Sequence, residues 1–341
     1  MFSLDSLFGA ARPVLSVIGM AKNTGKTVTL NYLQANLHQR RLCLGLTSVG
    51  RDGEKSDVLT RLPKPSIIVQ PGTVLATASE LVNGRRGWET LENTGISTPL
   101  GEVKIFKAKN ISPVILAGPS KNKEVGQIIE LLRNWGAECI LLDGAFDRQS
   151  AADPRITSHV ILASGASLSP AIDEVVSITK ARVEQLSIPV HQERAFLNRV
   201  RKSKAKVLLQ GEDGLQEFFV PTPLLSKAEW LRLLADGSKF LITIGAVGEG
   251  LCEALLKLEK PPTVIVQDGG KIFATPGMWK RLKEKGISFQ AEYPINLIGV
   301  SVNPTVPGGQ GFDPDDLLKR MGSALWPLDT LDVVREKKYK T

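Results

Sequence analysis

Short apolar runs alternate with amphipathic stretches along this chain, and the alternation predicts strands and helices in turn. Val14-Leu-Ser-Val-Ile18 reads as a buried strand, and Val28 to Leu37 as an amphipathic helix. Leu42 to Thr47 is a second strand, and Ser66 to Val69 a third apolar run. Val103–Lys107 and Val114–Ala117 suggest a hairpin that turns over Asn110 to Pro113. Val125 to Trp135 has helical periodicity and stops at Gly136, a suitable C-cap. Cys139–Leu142 and Val160–Ala163 are buried strands, and Pro170 to Val183 a helix begun by proline. Such βαβ alternation implies an α/β fold with a mainly parallel sheet covered on both faces.

From about 190 to 206 the pattern becomes polar and basic, then alternation resumes. The expected organisation is therefore a three-layer domain over 1–192, a basic linker over 193–206, and a smaller α/β domain over 207–341. In the second part, Val207–Leu209, Phe218–Val220, Phe240–Ile244, Thr263–Val266 and Asn296–Val302 are candidate strands. Ser226 with Glu229 three residues later marks a capping box for a helix over Lys227–Leu234. Further helices are expected over Leu251–Leu258, Pro276–Lys285 and Pro314–Met321.

The turn between the first strand and its helix carries the chemistry. Gly19-Met-Ala-Lys-Asn23-Thr24-Gly25-Lys26-Thr27 spaces its glycines as G-x5-G-K-T, one residue longer than the common G-x4-G-K-[ST] phosphate loop. A glycine-rich turn opening a helix aims backbone N–H groups at phosphate oxygens. Gly19, Asn23, Thr24, Gly25 and Val28 would line that cradle. Lys26 would reach the terminal phosphates and Thr27 would place its hydroxyl on Mg²⁺. Lys22 lies four residues before Lys26, where Ala21 holds the place of a second lysine found in some such loops, so no role is assigned to it.

A bound cation needs acidic partners from neighbouring strand ends. Ile140-Leu-Leu-Asp143-Gly144 runs apolar residues into an aspartate, placing Asp143 at a strand's carboxyl end as a candidate Mg²⁺ ligand. Gly144 would let the backbone approach a γ-phosphate. Gly50-Arg51-Asp52-Gly53-Glu54, after the second strand, offers Asp52 for the metal shell or for positioning water, and Arg51 for phosphate charge. Asp147 and Arg148 stand where a terminal phosphate could be sensed, or form a surface pair. The absence of an N-K-x-D run favours ATP and leaves GTP open. A second glycine cluster, Gly245-Ala-Val-Gly248-Glu-Gly250, lacks dinucleotide spacing and reads as a packing turn.

Composition narrows the setting. The chain has 341 residues, 42% hydrophobic and 23% charged, enough for two cores. No apolar run approaches the roughly 18 residues of a membrane span, and the first eight residues do not read as a secretory signal. Three separated cysteines and three scattered histidines suggest buried thiols in a reducing, cytoplasmic compartment and no metal cluster. The net charge of +8 is dispersed, with its densest patch between Arg194 and Lys206. That patch reads as a solvated face or linker, and nucleic acid is not the expected partner. A homodimer is compatible with the sequence.

The G-x5-G-K-T loop, the Gly50–Glu54 loop and the Leu-Leu-Asp143-Gly144 strand end together resemble the dethiobiotin synthetase–MinD-like branch of P-loop proteins, over residues 12–190. The synthetase's Glu-Gly-Ala-Gly-Gly is replaced by Asp143-Gly-Ala-Phe-Asp147, which argues against a biotin-pathway reaction. Four further segments add a second likeness over nearly the whole chain. They are Leu-Ala-Gly118-Pro-Ser, Asp143 to Arg148, Ala163 to Ser169 and Val302-Asn303-Pro304. Together they resemble accessory proteins of cobalamin-dependent lysine 5,6-aminomutase, which accompany a MutS-like ATPase in anaerobic lysine degradation. This resemblance implies nucleotide-driven reactivation of the mutase, with the mutase or the MutS-like ATPase as protein partner. Three readings follow: an Mg-dependent ATPase coupled to a protein, an ATP-dependent ligase or kinase for a small metabolite, and a nucleotide-sensing scaffold with little turnover.

Overall fold

A strand covered on both faces must be buried at every position, and all six residues of β1 (Val14–Gly19) are. The computed structural model describes residues 2, 12–50, 66–82, 86–144, 152–235 and 237–340. After β1 come α1 (Lys26–Gln39), β2 (Leu44–Ser48), β3 (Ile67–Val69), β4 (Val74–Ala78), β5 (Trp88–Thr98) and β6 (Gly101–Ala108). Then follow β7 (Ser112–Val114), α2 (Asn122–Asn134), β8 (Cys139–Asp143), β9 (His159–Gly165) and α3 (Ile172–Leu186). Next are α4 (Arg194–Lys202), β10 (Val207–Gly211), β11 (Gly214–Phe218), α5 (Lys227–Leu233), β12 (Phe240–Thr243) and α6 (Glu249–Leu255). The chain ends through β13 (Thr263–Val266), α7 (Pro276–Glu284), β14 (Phe289–Ala291), β15 (Leu297–Asn303), α8 (Pro314–Leu325), β16 (Asp329–Asp332) and β17 (Lys337–Lys338).

The chain divides into two units. The first joins Met1–Val176 to Asn296–Thr341, and the second is Ser177–Ile295. The first is built on a ten-stranded sheet in the order β17-β16-β15-β9-β1-β8-β2-β4-β6-β5. Seven neighbours, from β16 to β4, run parallel, and β17, β6 and β5 are antiparallel additions. This is the mixed α/β, mainly parallel architecture expected. Leu15, Val17, Leu30, Leu33, Leu37, Leu46, Leu75 and Leu141 form its core.

Three expectations are corrected here. The domain boundary does not fall at 193–206. Residues 296–341 return to the first sheet because β15 pairs in parallel with β9, from Leu297 opposite Val160 to Asn303 opposite Gly165. The basic stretch is not a linker: most of it is α4, which buries Phe196, Leu197 and Val200 against Leu208, Ile242 and Ile265. Nor do 103–107 and 114–117 form a hairpin. β6 pairs with β4 and β5, while Ser112–Val114 crosses to pair with β3.

The second unit is a five-stranded sheet, β11-β10-β12-β13-β14. β10 and β11 form a hairpin, and β12, β13 and β14 run parallel. Trp230, Leu241, Leu251, Val264, Trp279 and Leu282 fill its core. The Ser226–Glu229 capping box closes the start of α5 in both directions. Arg182, on the last turns of α3, donates to the carbonyls of Gly270 and Ile272. Burial lowers its pKa to about 10, partly offset by Asp268. The strands that enter and leave this unit lie side by side: Val190 bridges Ala291, and the His191 N–H donates to the Ala291 carbonyl at 2.9 Å.

Candidate functional site

Because β1, β2, β8, β9 and β15 run parallel, their carboxyl ends share one edge, where open α/β sheets bind ligands. The register is tight. Val17 of β1 and Ser48 of β2 both stand opposite Asp143 of β8, and Gly19 stands opposite Ala163 of β9.

The loop leaves β1 at Gly19 and turns at once, with the Met20 N–H donating to the Ala163 carbonyl at 3.0 Å. Thr24 is buried, and its hydroxyl donates to the Ala21 carbonyl at 3.0 Å, which holds the loop in a closed curve. Asn23 has φ 63° and Gly25 φ 89°, so the backbone enters the helix through left-handed conformations. Glycine is the residue that takes φ 89° without strain. A Cβ there would also stand 3.1 Å from Asn303 Cβ. Lys26 is then the first residue of α1. No side chain caps that helix start, and its first turn has no acid. A helix start of this kind favours negative charge.

Lys26 turns toward β8. Its Nζ lies 3.1 Å from Asp143 Oδ1 and donates to the Gly144 carbonyl. Both side chains are nearly buried, at 13% and 6% exposure, so the pair acts where water screens little. Gly144 is itself held by its N–H on the Val17 carbonyl at 3.1 Å. Thr27 and Val28 follow on the first turn of α1, with Val28 packed against the core. From β2, the Gly50 N–H donates to the Pro119 carbonyl at 2.8 Å and the Gly118 N–H to Ser48 Oγ at 2.9 Å, tying the end of β2 to the segment that precedes α2. Arg51, Asp52, Asp147 and Arg148 lie outside the described residues.

Sequence reasoning assigned no site role to Asn303. At the carboxyl end of β15, its Nδ2 donates to the Asn23 carbonyl at 2.9 Å, while its Oδ1 accepts from the Thr305 hydroxyl at 2.8 Å. One turn further into α1, Thr29 Oγ1 donates to the Gly25 carbonyl and lies 2.7 Å from Ser301 Oγ. The loop is thus fastened from the far end of the chain. The only available signal was Val302-Asn303-Pro304 in the family resemblance, which named the segment without its contact.

The donor set is oxygen: the Thr27 hydroxyl and the Asp143 carboxylate suit a hard divalent cation that keeps waters and takes its other ligands from phosphates. Among the described residues no group of three or more His, Cys, Asp or Glu could hold a metal. No described helix is long and apolar enough to cross a membrane.

No family model matches this chain, and no curated protein matches it. Among solved structures, the structure of pNOB8 ParA bound to nonspecific DNA aligns over 82% of this chain and 85% of that chain. The identity is 14% and the TM-score 0.26. A likeness of that degree assigns no activity, so the functional reading rests on the loop and its strand-end partners.

Proposed function

We propose that residues 19–28 with Asp143 and Gly144 form an Mg-nucleotide site, that ATP is the nucleotide, and that its hydrolysis is coupled to a protein partner. The observation that carries this is the Lys26–Asp143 pair, set directly after a left-handed glycine at an uncapped helix start. With a nucleotide bound, Lys26 would exchange the Asp143 carboxylate for phosphate oxygens, leaving Asp143 to hold a cation. A bound Mg²⁺ would supply charge neutralisation for the phosphates. The helix start and loop N–H groups hold the phosphates in line, and Lys26 neutralises charge as it develops. Thr27 and Asp143 would hold the cation, with Asp52 as a further candidate. The resemblance to aminomutase accessory proteins supports reactivation of a cobalamin enzyme as the purpose of turnover.

Calorimetric titration with Mg-ATP tests the site. In Lys26→Ala, affinity should fall by about two orders of magnitude, the worth of a lost charge-assisted contact. Removing a partner from buried Asp143 also costs roughly 3 kcal/mol of stability, so melting is followed in parallel. Unchanged ATP affinity in a folded variant ends the proposal. A pull-down from native extract with and without ATP tests the coupling. If no protein is retained and turnover rises only with a metabolite, the ligase or kinase reading replaces it. ATP binding with neither points to the sensing scaffold.

A further inference from the structure

The second unit contains a cavity that the nucleotide site does not use. It measures about 450 Å³, within the range of small-molecule sites. Its lining includes Arg194, Leu197, Asn198 and Arg201, which recur at helical spacing along one face of α4. Opposite them stand Val190, His191, Glu292 and Pro294.

The charges of this lining are unequally engaged. Arg201 Nε donates to Glu292, its Nη1 to Asn198 Oδ1 at 3.1 Å, and its guanidinium lies 5.0 Å from the Tyr293 ring centroid. Arg194 has no such partner among the described residues, so its planar fork is available. His191 is 95% buried, at 5% exposure, between the rings of Phe196 and Phe240. Its Nδ1 lies 2.7 Å from Gln290 Oε1, an oxygen that only accepts, so Nδ1 is the donor. His191 Nε2 is buried without a hydrogen-bond partner among the described residues. With Nδ1 carrying the proton, Nε2 accepts, so a water donating both to it and to a bound carboxylate would satisfy this costly buried atom.

From this we infer that the cavity over α4 binds a small organic carboxylate with an apolar body. Two arginines against one glutamate give the lining one net positive charge, which matches a monoanion. A phosphate dianion would be left under-neutralised and would meet the Glu292 carboxylate. The Arg194 guanidinium takes the carboxylate through two parallel N–H···O bonds. Val190, Leu197 and Pro294 enclose the apolar body, whose burial adds about 25 cal/mol per Å².

Phenylacetate and hexanoate, titrated into the full chain by calorimetry, provide the test, with benzyl alcohol and phenyl phosphate as comparisons. Saturable binding of the acids is expected, weakened about tenfold or more in Arg194→Ala, the worth of a charged hydrogen-bonded contact. Arg194 is exposed, so that variant leaves the core intact. Asn198→Trp, which fills the cavity from an exposed helix position, should also abolish binding. Lys26→Ala should leave carboxylate binding unchanged, which separates this site from the nucleotide reading. No saturable binding of either acid overturns the inference. So does equal binding of benzyl alcohol, stronger binding of phenyl phosphate, or unchanged affinity in Arg194→Ala.

Discussion

The turn after β1 and the turn after β12 both link a parallel strand to a helix through glycines, yet different things fill them. At the first, the chain reaches Lys26 through left-handed Gly25 and opens a 14-residue helix. An aspartate from the adjacent strand meets the lysine there. At the second, the chain's own segment 221–226 lies against the turn. A Cβ on Gly250 would stand 2.3 Å from the Leu225 carbonyl oxygen. The helix that follows has seven residues and begins with Glu249, an acid in place of a lysine. Glycine therefore serves two ends: room for the phosphates of the proposed nucleotide in one turn, room for a neighbouring backbone at the helix start after the other. The difference lies in which charge converges on the turn: a lysine opens α1 and an acid opens α6.

Substitutions can break this comparison. The largest effect is expected from Gly250→Ala, which drives a methyl into backbone and should cost roughly 2–3 kcal/mol. Urea denaturation would show the second unit destabilised, while Mg-ATP affinity stays at the wild-type value. Loss of ATP binding in that variant would make the second turn part of the nucleotide site. Asn303→Ala comes next. It removes the donor to the Asn23 carbonyl and should cost about 1 kcal/mol, with ATP affinity reduced severalfold. Equal ATP titrations of wild type and variant would show that the β15 anchor does not shape the loop.

The last effect is absent near neutral pH and appears only in alkali. Each unit buries one thiol, Cys139 in the first and Cys252 in the second, and burial raises each pKa from 9.0 to about 12. In the unfolded chain these thiols ionise near the ordinary value, and in the folded chain they stay neutral. Stability from this source is whole below pH 9 and is lost as pH rises from 9 toward 12. The loss is about 1 kcal/mol per thiol at the first pH unit above the unfolded value. Cys139→Ala and Cys252→Ala should each flatten the alkaline limb of a melting-temperature profile. A limb that keeps its slope in both variants would assign it to other groups.

Residues close in sequence were the legible ones. The strand, loop and helix from Val14 to Gln39 could be read because one local pattern specifies all three. Ser226 with Glu229 was readable for the same reason, and Asp143 because a run of apolar residues ends on it. The eleven-residue β5, Trp88-Glu-Thr-Leu-Glu-Asn-Thr-Gly-Ile-Ser-Thr98, gave no strand signal. It lies at the sheet edge with none of its residues buried, so selection for a core face leaves no alternation. α4 was hidden by its charge: six basic residues between Arg194 and Lys206 outweighed the three buried apolar ones on its inner face. Asn303 could not be found by any local rule, since its partner Asn23 lies 280 residues away.

That separation has a consequence for how the molecule is made. Chains emerge from the ribosome in order, and domains fold as units as they appear. The edge of β9 that receives β15 must wait while residues 177–295 are synthesised, and Asn23 waits with it. The inserted unit need not share the delay, since the Val190–Ala291 bridge that joins its entrance to its exit lies wholly within it. A strand made after the inserted unit thus completes the edge on which the loop after β1 depends.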